Sequence, residues 1–439
     1  FNFTLTPSCQ YKKLVKAQQN KANYHYKYGG ALGMKALSVS KLKALGIIGD
    51  VKKAFAKADK VIERVYESPF LPHNTMEPMN FFASVTPEKV RLVGPVQTPE
   101  PAAKVVSEML GRDLKDISVE MTRMGGGFGR RLYGDFALEA AEISSLASAP
   151  IKVVFSREDD MTAGTYRPAI KYRIKAALKD GKVTGYHLKE AAINGNMYGL
   201  IPNFFPGGSI DHYQVDVANY QSNITTGAWR APGNNTTTFA RESHIDVVAH
   251  TAGIDPLDFR LKNLENKDMI VTLELAAKSF SYSKDKNDGI GYGIALGQDA
   301  GTLVAMIAEV FVDKKTGDVQ PIRIVCAQDM GQVVNPHGAT LQTEGGITMG
   351  IGYALSEEIE FNGGEMKTIN FNRYEITRFS KTPKIECVFV DKMDANPQGG
   401  GEPAIICVGA AIANAVFDAC GARVYRMPIT PERVLEALS

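Results

Sequence analysis

Runs of glycine set the strongest constraint on this chain. Its 41 glycines gather at Gly125-Gly126-Gly127-Phe128-Gly129, Gly207-Gly208, Gly345-Gly346 with Gly350 and Gly352, Gly363-Gly364 and Gly399-Gly400-Gly401. Glycine adopts positive φ at no steric cost and lets a backbone close on a ligand, so consecutive amides can converge on an anion. The first run precedes a helical pattern over 135–147, whose N-terminus would add a positive dipole end, and Arg130-Arg131 supplies cationic donors. The spacing is not the GxxxxGK[ST] of a P-loop, and it fits a GxGxxG dinucleotide fingerprint poorly. On the residues alone, such a loop is as often a tight turn as an anion cradle.

Local patterns point to an α+β protein of mixed sheets with packed helices. Strands are expected at 90–93 and 151–155, and Val304, Met306, Ala308, Val310 and Val312 alternate along another. A turn at 314–318 returns the chain as a second hairpin strand over 319–326. Helical periodicity marks 135–147, 236–252 (Ile245, Val248, Ala249, Ala252) and 410–420 (Ile412, Val416, Cys420). A Lys-, Asn- and Ser-rich stretch at 261–288 suggests a boundary between units at 61–260 and 289–439. Residues 1–60 read as an irregular basic lead-in with twelve lysines against Asp50 and Asp59, in a chain of net charge +2. Tyr11, Tyr24, Tyr26 and Tyr28 interleave with those lysines, but no nucleic-acid motif accompanies them, and a solvated face or a docking segment for an acidic partner is the simpler reading.

Composition narrows the chemistry. The apolar run at 404–413 is well short of the roughly 18–20 residues that a membrane span needs. Cys9, Cys326, Cys387, Cys407 and Cys420 are scattered without a CxxC pair, which excludes a disulfide framework, a zinc ribbon and an iron–sulfur cluster held by this chain. The chain starts at Phe1 with no readable export signal, which suggests a processed form or a portion of something longer. Two further segments are candidates for chemistry. Gly227-Ala228-Trp229-Arg230-Ala231-Pro232-Gly233 holds the lone tryptophan in what reads as a rigid, ligand-facing loop, although a single Trp is more often a core anchor. Gln398-Gly399-Gly400-Gly401-Glu402-Pro403 holds a carboxylate in a tight turn with little shielding, as a general base requires.

Read in series, these segments resemble the molybdenum hydroxylases of the xanthine dehydrogenase/aldehyde oxidase family, in particular the large (beta) subunits of the isoquinoline 1-oxidoreductase type. The resemblance runs through 68–80 (SPFLPHNTMEPMN), 125–131, 156–161 with 166–168, 227–233, 328–336 (QDMGQVVNP), 342–352, 370–372, 399–403 and 411–421. It covers about residues 45–439 in consistent order.

The resemblance implies molybdenum held by the dithiolene of a molybdopterin, in the cytosine dinucleotide form usual in bacteria, with no protein side chain ligating the metal. By position, Gly126, Gly127, Phe128, Gly129 and Arg130 match a loop beside the cofactor, and Trp229, Arg230 and Ala231 match a second wall. Gln342, Gly350, Ile351 and Gly352 match a cofactor-contacting segment, and Gly400 and Gly401 flank the base. Glu402 matches the catalytic glutamate, the base for hydroxylating an N-heteroaromatic or aldehyde carbon with water-derived oxygen. Electrons would leave through 2Fe-2S clusters on a small partner subunit. A Met-Gly-Gln-Gly segment usual in the family is not found, and Met330-Gly331-Gln332 belongs to a different motif. A companion chain, or an N-terminal portion of the same subunit, would then complete the site. The alternative is a non-catalytic portion of the fold that cannot hold cofactor alone.

Overall fold

A computed structural model describes residues 43–194, 210–283, 287–362 and 364–439. Gly207-Gly208, Gly363, Cys9 and the tyrosines of the lead-in lie outside these residues. Three sheets organise the rest. The first is five-stranded, in the order β1 (Lys43–Ile48), β9 (His212–Tyr220), β8 (Lys182–Ile193), β7 (Ile170–Lys179), β2 (Lys60–Ser68). It is antiparallel except for β8–β9. The expected lead-in is therefore structured over its last part. β1 pairs with β9, and α1 (Val51–Ala56) follows, capped by Asp50, whose carboxylate accepts the Lys52 and Lys53 amides.

The second sheet, in the order β5 (Ile117–Met121), β4 (Val90–Gly94), β3 (Asn80–Val85), β6 (Ile151–Val154), is inserted between β2 and β7. Helices α2 (Pro99–Leu110) and α3 (Asp135–Ala147) pack on it. It has its own core of Phe81, Leu92, Val106 and Phe136. A short helix, α4 (Arg157–Thr162), leads back to the first sheet, starting at Ser156 with a reciprocal capping box to Asp159.

α5 (Asn234–Ala252) lies against the first sheet on one side and the third on the other. Its apolar stripe predicts a one-sided helix, yet nearly every residue from Asn235 to Ala249 is buried. Being covered on both sides puts polar side chains inside, and the acidic ones meet buried cations there. Arg260 on α6 (Pro256–Asn263) reaches Glu242 at 3.0 Å, with neither side chain exposed, and also donates to the Ile294 carbonyl at 3.1 Å. Burial raises the Glu242 pKa, and the Arg260 charge opposes that shift.

The stretch at 261–288 takes in the end of α6 and all of α7 (Lys267–Phe280), and α7 packs on the third sheet. That sheet has the order β10 (Ile290–Asp299), β11 (Thr302–Val312), β12 (Val319–Asp329), β15 (Lys384–Phe389). A small hairpin, β13 (Phe361–Asn362) with β14 (Glu365–Met366), stands apart. The glycines at 345–352 lie inside α8 (Pro336–Leu355). Close approach explains it, since a Cβ on Gly350 would meet Val408 Cγ2 at 2.6 Å. The stretch Pro403–Cys420, a 3-10 turn running into α9 (Val408–Cys420), is long and apolar enough to span a membrane. Here it packs inside the protein against β10, β11 and α5, as a core helix. α10 (Pro431–Leu438) closes the chain.

Candidate active site

Four separated segments meet at Arg230. Its backbone amide donates to the Phe128 carbonyl at 2.9 Å, tying the 227–233 loop to the 125–129 loop. Its guanidinium donates to the Gly401 carbonyl (Nη2 2.7 Å, Nε 3.1 Å) and to the Gln342 carbonyl at 3.3 Å. Gln342 reaches the same Gly401 oxygen with its side-chain amide at 3.4 Å. Arg230 is only 6% exposed and its guanidinium lies 5.7 Å from the Phe128 ring centroid. Burial lowers its pKa, partly offset by the Glu402 charge. It is a tie between loops rather than an open wall.

Beside it, the Ala231 amide donates to Glu402 Oε1 at 2.9 Å. Both residues have unusual backbones. Ala231 has φ 55°, left-handed for a non-glycine residue, while Glu402 has ψ −36° immediately before Pro403, a region that a following proline disfavours. Such conformations cost on the order of 1–3 kcal/mol each and persist only where the surroundings enforce them. The enforcing contacts are visible. Asn235 Nδ2 donates to the Trp229 and Arg230 carbonyls at 3.2 and 2.7 Å, and the Asn235 amide donates to the Ala231 carbonyl at 3.1 Å. Glu402 is half-buried and held through one oxygen, so the other is placed to exchange a proton with a reactant.

The 125–129 loop has positive φ at Gly126 (97°), Phe128 (53°) and Gly129 (108°). The Gly125 and Gly129 amides are taken up by Glu77 Oε2 (2.6 Å) and Gln97 Oε1 (3.1 Å). Among the described residues, no acceptor is found for the amides of Gly126, Gly127 and Phe128. Spare amides in a row are what an anion cradle would need. The helix expected to reinforce it does not begin there, because Arg130–Gly134 intervenes and Gly134 abuts Ala102 of α2.

Other expected site residues fall elsewhere. The Arg130 guanidinium is buried in a two-bonded pair with Asp135, both at 2.7 Å, so it is not a free cationic donor. Arg131 is likewise spent on Glu77 and on the carbonyls of Gly126 and Pro95. The Trp229 side chain is a core anchor, 1% exposed, with Nε1 donating to the Pro72 carbonyl at 3.1 Å. From its loop it is the Arg230 guanidinium and the Ala231 amide that bond to the base loop. Gly350, Ile351 and Gly352 are enclosed within α8, against Val408 and Glu357, and offer no surface to a ligand. Gly400 and Gly401 do border open space. A Cβ on Gly400 would find only Met330 Sδ and Cε at 3.7 Å, and one on Gly401 only Gln342 Nε2 at 3.7 Å.

Sequence reasoning did not single out Gln97, Glu77, His73, Asn235 or Met330. His73 bridges the Thr165 and Ala228 carbonyls at 2.9 and 2.7 Å, and with Glu77 it lies inside the 68–80 stretch already noted. Met330, set aside with its own motif, comes next to Gly400. Gln97 and Asn235 carry no sequence signal, since their role is to satisfy loop backbone in three dimensions.

Behind the 227–233 loop is a cavity lined by Arg167, Glu190, Trp229, Pro232, Gly233 and Asn235. Burial alone pushes the Glu190 carboxyl up from 4.5 to about 7. The folded protein therefore holds this proton more tightly than the unfolded chain does. The associated stability is complete below about pH 4.5 and is lost as pH rises towards 7, on the order of 3 kcal/mol. Glu357, buried against Tyr374 and raised to about 7, adds a slope of the same sign. Urea denaturation at pH 5 and pH 8 will show a smaller pH difference for Glu190→Gln than for wild type. An unchanged difference would dismiss Glu190 as a source of it.

Comparison with known proteins follows the same lines. A family model described as "Molybdopterin cofactor-binding domain" matches residues 37–264, more than half of the chain, and a second with that description matches 240–383. A nicotinate dehydrogenase subunit of Pseudomonas putida is 27% identical over 434 residues, covering 89% of this chain and 36% of that protein. The beta subunit of isoquinoline 1-oxidoreductase from Brevundimonas diminuta is 28% identical over 414 residues, covering 88% and 52%. The chain thus spans about half or less of these relatives. The crystal structure of quinoline 2-oxidoreductase from Pseudomonas putida 86 superposes with a TM-score of 0.80 at 15% identity, over 90% of this chain and 78% of that one. The chain belongs to the molybdenum hydroxylase family, through its molybdopterin cofactor-binding domains.

Proposed function

We propose that this chain is the cofactor-holding, catalytic portion of a molybdenum hydroxylase that adds a water-derived oxygen to an N-heteroaromatic or aldehyde carbon. The observation that carries the reading is Glu402, fixed by the Ala231 amide at 2.9 Å and joined through Arg230 to a glycine loop with spare amides. The names of the relatives, a nicotinate dehydrogenase and an isoquinoline 1-oxidoreductase, support an N-heteroaromatic substrate.

The residues fit a bound molybdopterin. Among the described residues, no three His, Cys, Asp or Glu side chains are grouped to hold a metal ion, so a metal here must bring its own donors. When bound, the group supplies a metal able to take two electrons from the substrate. The amides of Gly126, Gly127 and Phe128 would hold its oxygen atoms, and Gly400 and Gly401 leave room for its approach. Gln342 holds the Gly401 carbonyl in place. The Phe128 ring, partly exposed, would exclude water from that side. Glu402 accepts a proton on its free oxygen and releases it to solvent between turnovers. A cytosine dinucleotide tail and the units 61–260 and 289–439 as two cofactor-binding halves complete the proposal.

Electrons would pass to 2Fe-2S clusters on a small partner subunit. In support, Cys326 and Cys407 are fully buried with thiols pushed well up, and no cluster-forming group of cysteines occurs among the described residues. A companion chain or a further N-terminal portion would complete the cofactor enclosure. The comparisons do not favour the non-catalytic alternative. The test is elemental analysis of protein from its native source, with nucleotide release on acid hydrolysis and a gel of co-purifying chains. Molybdenum stoichiometric with the chain, CMP on hydrolysis and an iron-containing partner are expected. Protein free of molybdenum from molybdate-replete cells would overturn the reading.

A further inference from the structure

We propose that Asn235 is the positioning residue for Glu402: its side-chain amide holds the two peptide groups that join the 227–233 loop to the glycine loop on one side and to the base on the other. The inference rests on the reading of Glu402 as base. Asn235 is the second residue of α5 and is fully buried. Its Nδ2 donates to the Trp229 carbonyl at 3.2 Å and to the Arg230 carbonyl at 2.7 Å, and its backbone amide donates to the Ala231 carbonyl at 3.1 Å. A single residue therefore takes three successive carbonyls.

Peptide geometry turns that grip into aim. A trans peptide is planar, with its carbonyl and its N–H pointing opposite ways, and neither peptide here is cis. Fixing the Trp229 carbonyl thus fixes the direction of the Arg230 N–H, which donates to the Phe128 carbonyl at 2.9 Å. Fixing the Arg230 carbonyl likewise fixes the Ala231 N–H, which donates to Glu402 Oε1 at 2.9 Å. The φ of 55° at Ala231 belongs to this arrangement, and a residue with a Cβ leaves that region once its support is removed.

The type of side chain matters. A short amide nitrogen carries two N–H donors, one for each carbonyl, whereas a carboxylate in its place would set oxygen against oxygen. Arg230 ties the base turn by a separate route, through its guanidinium to the Gly401 carbonyl at 2.7 Å. Loss of the Asn235 side chain therefore leaves the loops attached but misdirects the carboxylate, a fault in turnover rather than in binding.

Asn235→Ala in the purified complex tests this in two ways. Residue-resolved amide exchange, read by fragmentation mass spectrometry, should speed up about tenfold at Arg230 and Ala231, the loss expected for one hydrogen bond. The Thr237 amide, bonded to the Gly233 carbonyl at 2.9 Å, should keep its rate. On an N-heteroaromatic substrate, kcat should fall about tenfold or more with KM and molybdenum content unchanged. Adding Ala231→Gly should restore most of the lost rate, because glycine takes positive φ without support. Unmoved exchange at Ala231 in the folded variant would overturn the proposal. So would a general rise that includes Thr237, or a rate that Ala231→Gly leaves low. If Asn235→Ala does not fold, the double variant should, since the strain at 231 is gone, and its failure to fold would be equally fatal. Full turnover in Glu402→Gln would instead sink the base assignment, which the exchange measurement does not depend on.

Discussion

Glu402→Gln lowers turnover by about 10²- to 10⁴-fold, the range for losing a general base, while molybdenum content and melting temperature stay at wild-type values. The substitution is nearly isosteric. Its side-chain oxygen still accepts the Ala231 amide, so the strained backbone at Ala231 and Glu402 keeps its support. What goes is the ability of the second position to take up a proton. Steady-state rates on an N-heteroaromatic substrate, with metal analysis of the same sample, make the check. Turnover near wild type would remove Glu402 from the mechanism.

Gly129→Val empties the site of cofactor. The residue has φ 108°, and a Cβ there would lie 2.1 Å from the Ala228 carbonyl oxygen and 2.8 Å from its carbon. Backbone cannot swing aside as a side-chain tip can, so the 125–129 and 227–233 loops must part, and the Phe128–Arg230 bond with them. We expect molybdenum at background with the far-ultraviolet circular dichroism of a folded protein. The control is Gly111→Ala. Gly111 also has positive φ, 62°, but it caps α2 with nothing within 4 Å, so it should cost about 1 kcal/mol and leave metal content unchanged. A fully loaded Gly129→Val protein would dismiss the loop as a cofactor wall.

Much of this was legible in the sequence, and the failures have physical causes. The 125–129 and 399–401 runs stood out as glycine clusters, and both are bonded to the 227–233 loop, which also holds Glu402. The hairpin of β11 and β12 was legible from the alternation at 304–312 and the turn at 314–318, and β12 runs on past the expected end to Asp329, buried throughout its last six residues. Trp229, Gly350, Ile351 and Gly352 misled, since a motif does not say which of its atoms face the ligand and which face the core. Arg130 and Arg131 looked like anion donors, but charge in a sequence does not reveal an internal partner such as Asp135 or Glu77. The buried polar residues of α5 were invisible to periodicity because both sides of the helix are covered. Gln97 acts only through contacts between distant segments.

The second sheet leaves and re-enters the first at neighbouring points, Ser68 on β2 and Ile170 on β7 being paired across the ladder. It carries the glycine loop on a core of its own, whereas the base loop hangs from the third sheet. The insertion is thus built as a self-contained cassette. Exchanging it for a relative's would replace one wall of the site in a single block and leave the proton-handling machinery on the other side untouched. On the proposed reading, cofactor fit and acid–base chemistry would thus lie on separately built parts of the fold.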